Sequence, residues 1–326
     1  MTMLLDDRTV QSLFDWNLAV AALREAYAAP TDEARFPERR MARGSRGWLR
    51  TLSGVPSEPG LMGVKIIAAA LEAHQASYLI PLFDQGTAAL VALLDGHSIT
   101  GYRTAATSAL AADVLVPPGP LVVAVIGSGF EARNHVRALA AVRDLKAVHV
   151  YSPRRESRTR FVAELADVPM PVAAAESAEA AVADASLVVC AARSRDESPT
   201  LRGAWLRPGM TVVSIGSTLP EQREVDTEVL ARADLVVADV LEEVLEDTGD
   251  LIAARAVGLD VAAKTIALAD LIGGRRPGRT SDDQIAVYKS VGAAVQDLAV
   301  AGLCVRRAEQ LGLGARLPVA FEPVKK

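Results

Sequence analysis

Apolar positions along the chain follow two rhythms, and each assigns its part to a different architecture. In the first hundred residues short apolar runs alternate with turns. Runs at 48–52 and 61–67 flank a Pro/Gly loop at 56–60, and runs at 79–83 and 88–94 are separated by turns at 84–87 and Asp95-Gly96. One helix precedes them over 16–29: Asp15 is placed to cap it, Leu18, Ala22, Leu23 and Ala26 share a face, and Pro30 ends it. A second, Ala-rich helix grows out of Thr100-Gly101-Tyr102-Arg103 and stops before Pro117-Pro118. From residue 121 onward strand and helix take turns. Strands are predicted at 121–126, 147–151, 173–174, 187–191, 211–215, 235–237 and 285–288, with helices at 158–165 and 178–183. A helix over 293–311, with Val295, Leu298, Ala299, Gly302 and Leu303 at helical spacing, closes the chain and is expected to pack back on the N-terminal part.

The βα rhythm begins with a run that ends in Gly127-Ser128-Gly129-Phe130-Glu131-Ala132. Six apolar residues stopped by glycine read as a parallel strand buried on both faces. Gly127 permits the tight turn, Gly129 lets the backbone approach a pyrophosphate, and Ala132 is small enough for helix–strand packing. The following helix offers unpaired N–H groups to phosphate. The expected architecture is therefore α/β: a Rossmann dinucleotide-binding domain over 117–295, inserted in a split α+β substrate and dimerisation domain of 1–116 with 296–326.

Composition narrows the partners. Half of the 326 residues are hydrophobic, which suits a globular chain, and a net charge of −5 argues against nucleic acid. Both cysteines, Cys190 and Cys304, lie in apolar runs, as buried thiols of a reducing, cytoplasmic compartment would. The first eight residues carry Asp6 and Asp7 and no apolar core, so no signal peptide is expected, and no apolar run is long enough to span a membrane. The four histidines show no ligand spacing, so no metal is expected.

Four features carry the chemistry. Lys65 interrupts a Val/Ile/Ala run. It either snorkels from an edge strand or is desolvated against a carboxylate, from the protein or from a substrate. Arg103, read as lying at a helix start, is misplaced for the dipole and invites an anion. Arg35, Arg39, Arg40, Arg43, Arg46 and Arg50 read as a solvated hairpin, of which one or two hold an anionic group. At the end of the second βα strand, Tyr151-Ser152-Pro153-Arg154-Arg155 has two arginines where an NAD site usually carries an acid. That favours NADP(H) and leaves NAD(H) possible, unless both arginines are merely surface charges.

Several stretches together resemble the ornithine cyclodeaminase/mu-crystallin family: Gly63-Val64-Lys65, 99–106, 127–132, 216–226 and Lys289-Ser290-Val291-Gly292. The resemblance implies a Rossmann domain with a dimerising α+β domain, hence a homodimer. It implies Lys65 as the active-site lysine, Arg103 as substrate-carboxylate ligand with Arg39 or Arg40, and Ser290 and Gly292 approaching the nicotinamide. The family's cyclodeaminases carry an aspartate where this chain has Thr218, also a substrate-site position. The departure resembles the imine-reducing and mu-crystallin branch. Glu224 and Asp226 are read as structural, capping the next helix, or catalytic. The expectation is NAD(P)H-dependent reduction of a 2-imino acid or cyclic ketimine carboxylate, or the reverse amino-acid dehydrogenation. The alternatives are cyclodeamination of an ornithine-type amino acid with recycled NAD, and non-enzymatic binding of a small ligand.

Overall fold

A computed structural model of the chain describes residues 2–57, 60–192, 197–318 and 321–325. The chain divides into two compact units, residues 1–104 with 293–326, and residues 105–292.

In chain order, the first unit opens with β1 (Met3–Leu5), α1 (Asp7–Leu13) and α2 (Trp16–Ala28). Four antiparallel-paired strands follow, β2 (Arg40–Arg43), β3 (Gly47–Gly54), β4 (Leu61–Ala70) and β5 (Gln75–Asp84), then β6 (Leu90–Asp95). The helix α3 (His97–Leu115) carries the chain into the second unit. There β7 (Leu121–Ile126), α4 (Phe130–Val142), β8 (Leu145–Tyr151), α5 (Arg155–Glu164), β9 (Val172–Ala174), α6 (Ala178–Val182), β10 (Leu187–Cys190) and β11 (Thr211–Ser214) alternate. They continue through α7 (Thr227–Arg232), β12 (Leu235–Ala238), α8 (Leu241–Asp247), α9 (Gly249–Ala256), β13 (Thr265–Ala267), α10 (Leu268–Ile272) and β14 (Ala286–Lys289). The chain returns to the first unit with α11 (Ala294–Leu311) and β15 (Ala315–Arg316).

The first unit is α+β. Its sheet runs β15-β1-β6-β5-β4-β3-β2, and α11 packs on β3, β4 and α2 as its periodicity predicts. α2 is capped by Asp15, whose Oδ1 accepts from the Leu18 amide at 2.9 Å. Its buried stripe differs from the expected one: Ala19, Val20, Leu23 and Tyr27 are buried, and Leu18 is exposed. The stripe is turned toward α11, where Gln296 Nε2 donates to Tyr27 Oη at 2.7 Å.

The sheet of the second unit runs β13-β12-β14-β11-β10-β7-β8-β9, every pair parallel. The chain winds outward from β7 to β8 and β9, then crosses to β10 and β11 on the other side. This is the doubly wound order of a Rossmann fold, with its switch point between β7 and β10. Burial on both faces explains the runs LVVAVI, LVVC and TVVS. Among the described residues no helix is long and apolar enough to cross a membrane.

Candidate active site

Lys65 lies in the middle of β4, a strand paired on both sides, and is 1% exposed. Snorkelling from an edge is thus ruled out, and the ammonium needs a counter-charge. It comes from Asp297 on α11, whose Oδ1 accepts from Lys65 Nζ at 2.8 Å. The same oxygen accepts from Arg103 Nε at 2.9 Å, and Arg103 Nη1 donates to Gln296 Oε1. Two cations therefore share one buried carboxylate oxygen. Burial first, then the Arg103 charge, lowers Lys65 to about 7; Asp297 pulls the other way, and Arg39 adds to the depression.

Arg103 does not stand at a helix start. α3 begins at His97, so Arg103 sits in its second turn and the dipole reading falls away. The earlier start has a local cause: Asp95 Oδ1 accepts from the His97 amide and Asp7 Oδ1 from the Ser98 amide, at 2.8 and 3.0 Å. The arginine-rich stretch does form a hairpin, β2 with β3. Arg40 pairs with Thr51, and Thr51 with Ile66, on the face opposite Lys65. Arg39, one residue earlier, falls on the side of Leu52 and Lys65, and its charge is felt there. The sequence motifs missed Asp297, Gln296 and the capping role of Asp7. An acid inside the apolar pattern of the last helix was the available signal.

In the second unit, the turn after β7 has the form the motif demands. Gly127 has φ +113°, and a Cβ on it would run into the Ala191 carbonyl. At Gly129 a Cβ would meet nothing within 4 Å. Gly129 is the N-cap of α4 and lends no side chain to its first amides. The cradle therefore has room and donors for a pyrophosphate. Ser128 Oγ donates to Ser152 Oγ at 3.0 Å, joining this turn to the end of β8. Arg154 and Arg155 are exposed at the start of α5, and Tyr151 ends β8 with no acid beside it. Phe130 is partly exposed, Glu131 lies in the first turn of α4, and Ala132 is buried.

Two carboxylates hold the neighbouring loops. Asp239, just beyond β12, accepts from Ser290 Oγ at 2.6 Å and from the Val291 and Gly292 amides at 3.0 and 2.8 Å. The segment expected to approach the nicotinamide is thus fixed by a residue the motifs did not reveal. Glu224 is wholly buried and accepts from Ser214 Oγ, the Gly216 amide and the Ala192 amide at 2.6, 2.8 and 3.1 Å. Asp226, by contrast, caps α7 through the Val229 amide at 2.9 Å. Thr218 is half-buried, with its amide and hydroxyl both donating to Gln222 Oε1 at 3.0 and 3.2 Å.

The chain is also similar to known proteins over most of its length. The Delta(1)-pyrroline-2-carboxylate reductase of Paracoccus denitrificans is 32% identical over 299 residues, 89% of this chain and 92% of that one. The mouse ketimine reductase mu-crystallin is 31% identical over 265 residues, 79% of this chain and 80% of its own length. The structure of the Thermococcus litoralis Delta(1)-pyrroline-2-carboxylate reductase, in complex with NADH and L-proline, superposes with a TM-score of 0.89. It is 25% identical and covers 97% of this chain and 100% of that one. With the family's sequence model matching residues 19–311, the chain belongs to the ornithine cyclodeaminase/mu-crystallin family.

Proposed function

We propose that this protein is an NAD(P)H-dependent imine reductase acting on a 2-imino acid or cyclic ketimine carboxylate, and in reverse an amino-acid dehydrogenase. One observation carries the reading: two buried cations, Lys65 and Arg103, share a single carboxylate oxygen, with Arg39 close enough to be felt. Such a surplus of positive charge in a dry environment seeks an anion. Arg103 and Arg39 are assigned to the substrate carboxylate, with Arg40 as the other candidate and Thr218 at the substrate's edge. Lys65, poised near neutrality, is assigned as proton donor to the imine nitrogen. The nicotinamide, when bound, supplies the hydride that goes to the imine carbon, so one C=N bond becomes one amine and one reduced cofactor is oxidised. Gly127 to Ala132 with Ser152, Ser290 and Gly292 are assigned to hold the dinucleotide.

Arg154 and Arg155 support NADP(H) over NAD(H), because two exposed guanidiniums at a helix start suit a 2′-phosphate and outnumber the one acid of that first turn, Glu156. Thr218 supports reduction over cyclodeamination. Deaminative ring closure moves protons on and off nitrogen, and a threonine hydroxyl is no base near neutral pH. A homodimer is supported by the sheet face of the first unit that turns away from α11. It carries Val64 and Ile66, with Leu49 46% and Leu79 41% exposed, an apolar surface suited to a second copy of the chain. Two buried free cysteines fit a cytoplasmic protein.

A screen of cyclic and acyclic 2-imino acids, read as NADPH and NADH absorbance, tests the reading. Stoichiometric oxidation of cofactor is expected. Sustained conversion of L-ornithine to proline and ammonia with catalytic NAD would replace it with cyclodeamination, and ligand binding without turnover would replace it with a binding protein.

A further inference from the structure

Beneath the carboxyl ends of β10, β11 and β14 lies a fully buried chain of polar groups that the proposed chemistry does not use. Lys289 Nζ lies 3.0 Å from Asp250 Oδ2 and donates to Ser214 Oγ at 2.8 Å. An ammonium only donates, so Ser214 accepts from it and spends its one proton on Glu224 Oε2. Among the described residues the remaining partners of Glu224 are the Gly216 and Ala192 amides, which also only donate. Every group on this carboxyl therefore offers it a hydrogen, an arrangement complete only for the ionised form.

We propose that Glu224 is a positioning residue for the cofactor: its carboxylate ties the backbone after β10 to the backbone after β11, and protonating it loosens that tie and weakens dinucleotide binding. The inference rests on the reading that the dinucleotide binds at the β7 turn. The seam is continuous. A Cβ on Gly216 would collide with the Glu224 carboxylate and the Ala192 carbonyl, and one on Gly127 with the Ala191 carbonyl, so the Gly216 and Gly127 backbones both pack against the backbone of 191–192. A shift at Ala192 or Gly216 is passed to the turn that cradles the pyrophosphate.

A proton added to Glu224 can point usefully only at Ser214 Oγ. Taking that place evicts the serine proton and leaves the Gly216 amide facing the weakly accepting oxygen of an acid O–H. A proton on the other oxygen meets the Ala192 N–H directly. Among the described residues the charged and titratable groups around the carboxyl are Lys289, Asp250 with Arg223 behind it, and Cys190. Burial is the strongest influence and raises Glu224 to about 7, Asp250 adds to it, and Lys289, Ser214 and the Gly216 amide oppose.

The test is fluorescence titration of NADPH and NADH binding between pH 6 and 8.5 for wild type, Glu224→Gln and Ser214→Ala. With a midpoint near 7 about one tenth of the protein is competent at pH 6, so wild-type apparent Kd should rise about tenfold from pH 8.5 to 6. Glu224→Gln puts an NH2 group where an amide donates, so it should bind weakly and almost independently of pH. The 2′-phosphate of NADPH titrates identically against each protein and cancels in the comparison. Ser214→Ala removes one donor from the carboxylate and should move the midpoint upward by about half a unit or more. Should Glu224→Gln not fold, the Ser214→Ala midpoint decides alone. Glu224→Gln binding like wild type with the same pH dependence, or an unmoved Ser214→Ala midpoint, overturns the proposal. Failure of folded wild type to bind either cofactor at pH 8.5 overturns the dinucleotide reading beneath it.

Discussion

Replacing Lys65 and replacing its partner Asp297 should have opposite signatures. The charge count around Asp297 Oδ1 is two cations against one anion, all buried. Lys65→Met removes one cation and leaves Arg103 and Asp297 balanced, and methionine fills the stem's space with an adaptable side chain. The loss of stability should stay within about 2 kcal/mol, since no buried charge is orphaned. Catalysis should fall at least ~100-fold, the usual scale of a missing general acid, with cofactor Kd unchanged. Asp297→Asn leaves two cations together without an anion, an arrangement that costs about 3–5 kcal/mol, or roughly 10 °C in the first thermal transition. Lys65 can escape that penalty by releasing its proton, so the Asn variant should recover stability at higher pH. In wild type the lysine is lowered from 10.5 to about 7, so between those values the unfolded chain holds the extra proton. The lysine's contribution to stability therefore rises with pH across that window and is absent in Lys65→Met, while the buried thiols Cys190 and Cys304, raised by burial, oppose it above about pH 9 in both proteins. As proton donor the lysine must be charged, so kcat/KM should fall above about pH 7, and at lower pH in Asp297→Asn. Differential scanning fluorimetry and steady-state kinetics across pH 6–10 read both effects. A Met variant with near-normal turnover, or an Asn variant as stable as wild type at pH 6, refutes this account.

Other expectations are more local. Arg154→Ala with Arg155→Ala should raise the Kd for NADPH at least tenfold and leave NADH within about twofold, the loss of about 1.4 kcal/mol or more in charge-assisted hydrogen bonds; equal losses mean the arginines never meet a 2′-phosphate. In the proposed dimer, Leu49→Glu with Leu79→Glu should lower the mass seen in light scattering to that of a monomer, because both side chains stand exposed on the same sheet face; an unchanged dimer mass assigns the interface elsewhere, and a monomeric wild type refutes the dimer. Asp239→Asn should weaken the fixed conformation of 290–292 by replacing an acceptor of three donors, seen as a lower kcat with substrate KM little changed; normal kcat refutes a role for that loop.

Much of the fold was legible because buried parallel strands write themselves as uninterrupted apolar runs, and each of the seven runs predicted from residue 121 to 288 became a strand. The anomaly of Lys65 was equally legible, since an ammonium inside such a run has to be answered. What answered it was not, because Asp297 sits 232 positions away on a helix whose other residues follow an ordinary apolar pattern. The start of α3 was misplaced for a similar reason: Asp7 caps it from another element, and local spacing does not show that. The short strand β1 and helix α1, and α8 to α10, carry too few periodic positions to stand out before tertiary packing selects them. Arg39 and Arg40 were indistinguishable in sequence, and the pairing of Arg40 with Thr51 sorted them by face.

The separation of Lys65 from Asp297 also says something about how the molecule is made. Chains emerge N-terminus first, so β4 and the first turns of α3 leave the ribosome long before α11 exists. During that interval Lys65 and Arg103 have no Asp297 to share, and the sheet cannot be completed, because β15 is the strand that borders β1. The parallel sheet of residues 105–292, whose strands all precede α11, has no such wait. A chain cut short before α11 would then keep every strand of the parallel sheet while lacking the anion that answers Lys65. The segment from α11 onward therefore completes both the sheet of the first unit and the ion pair of Lys65, and its loss would leave both unfinished.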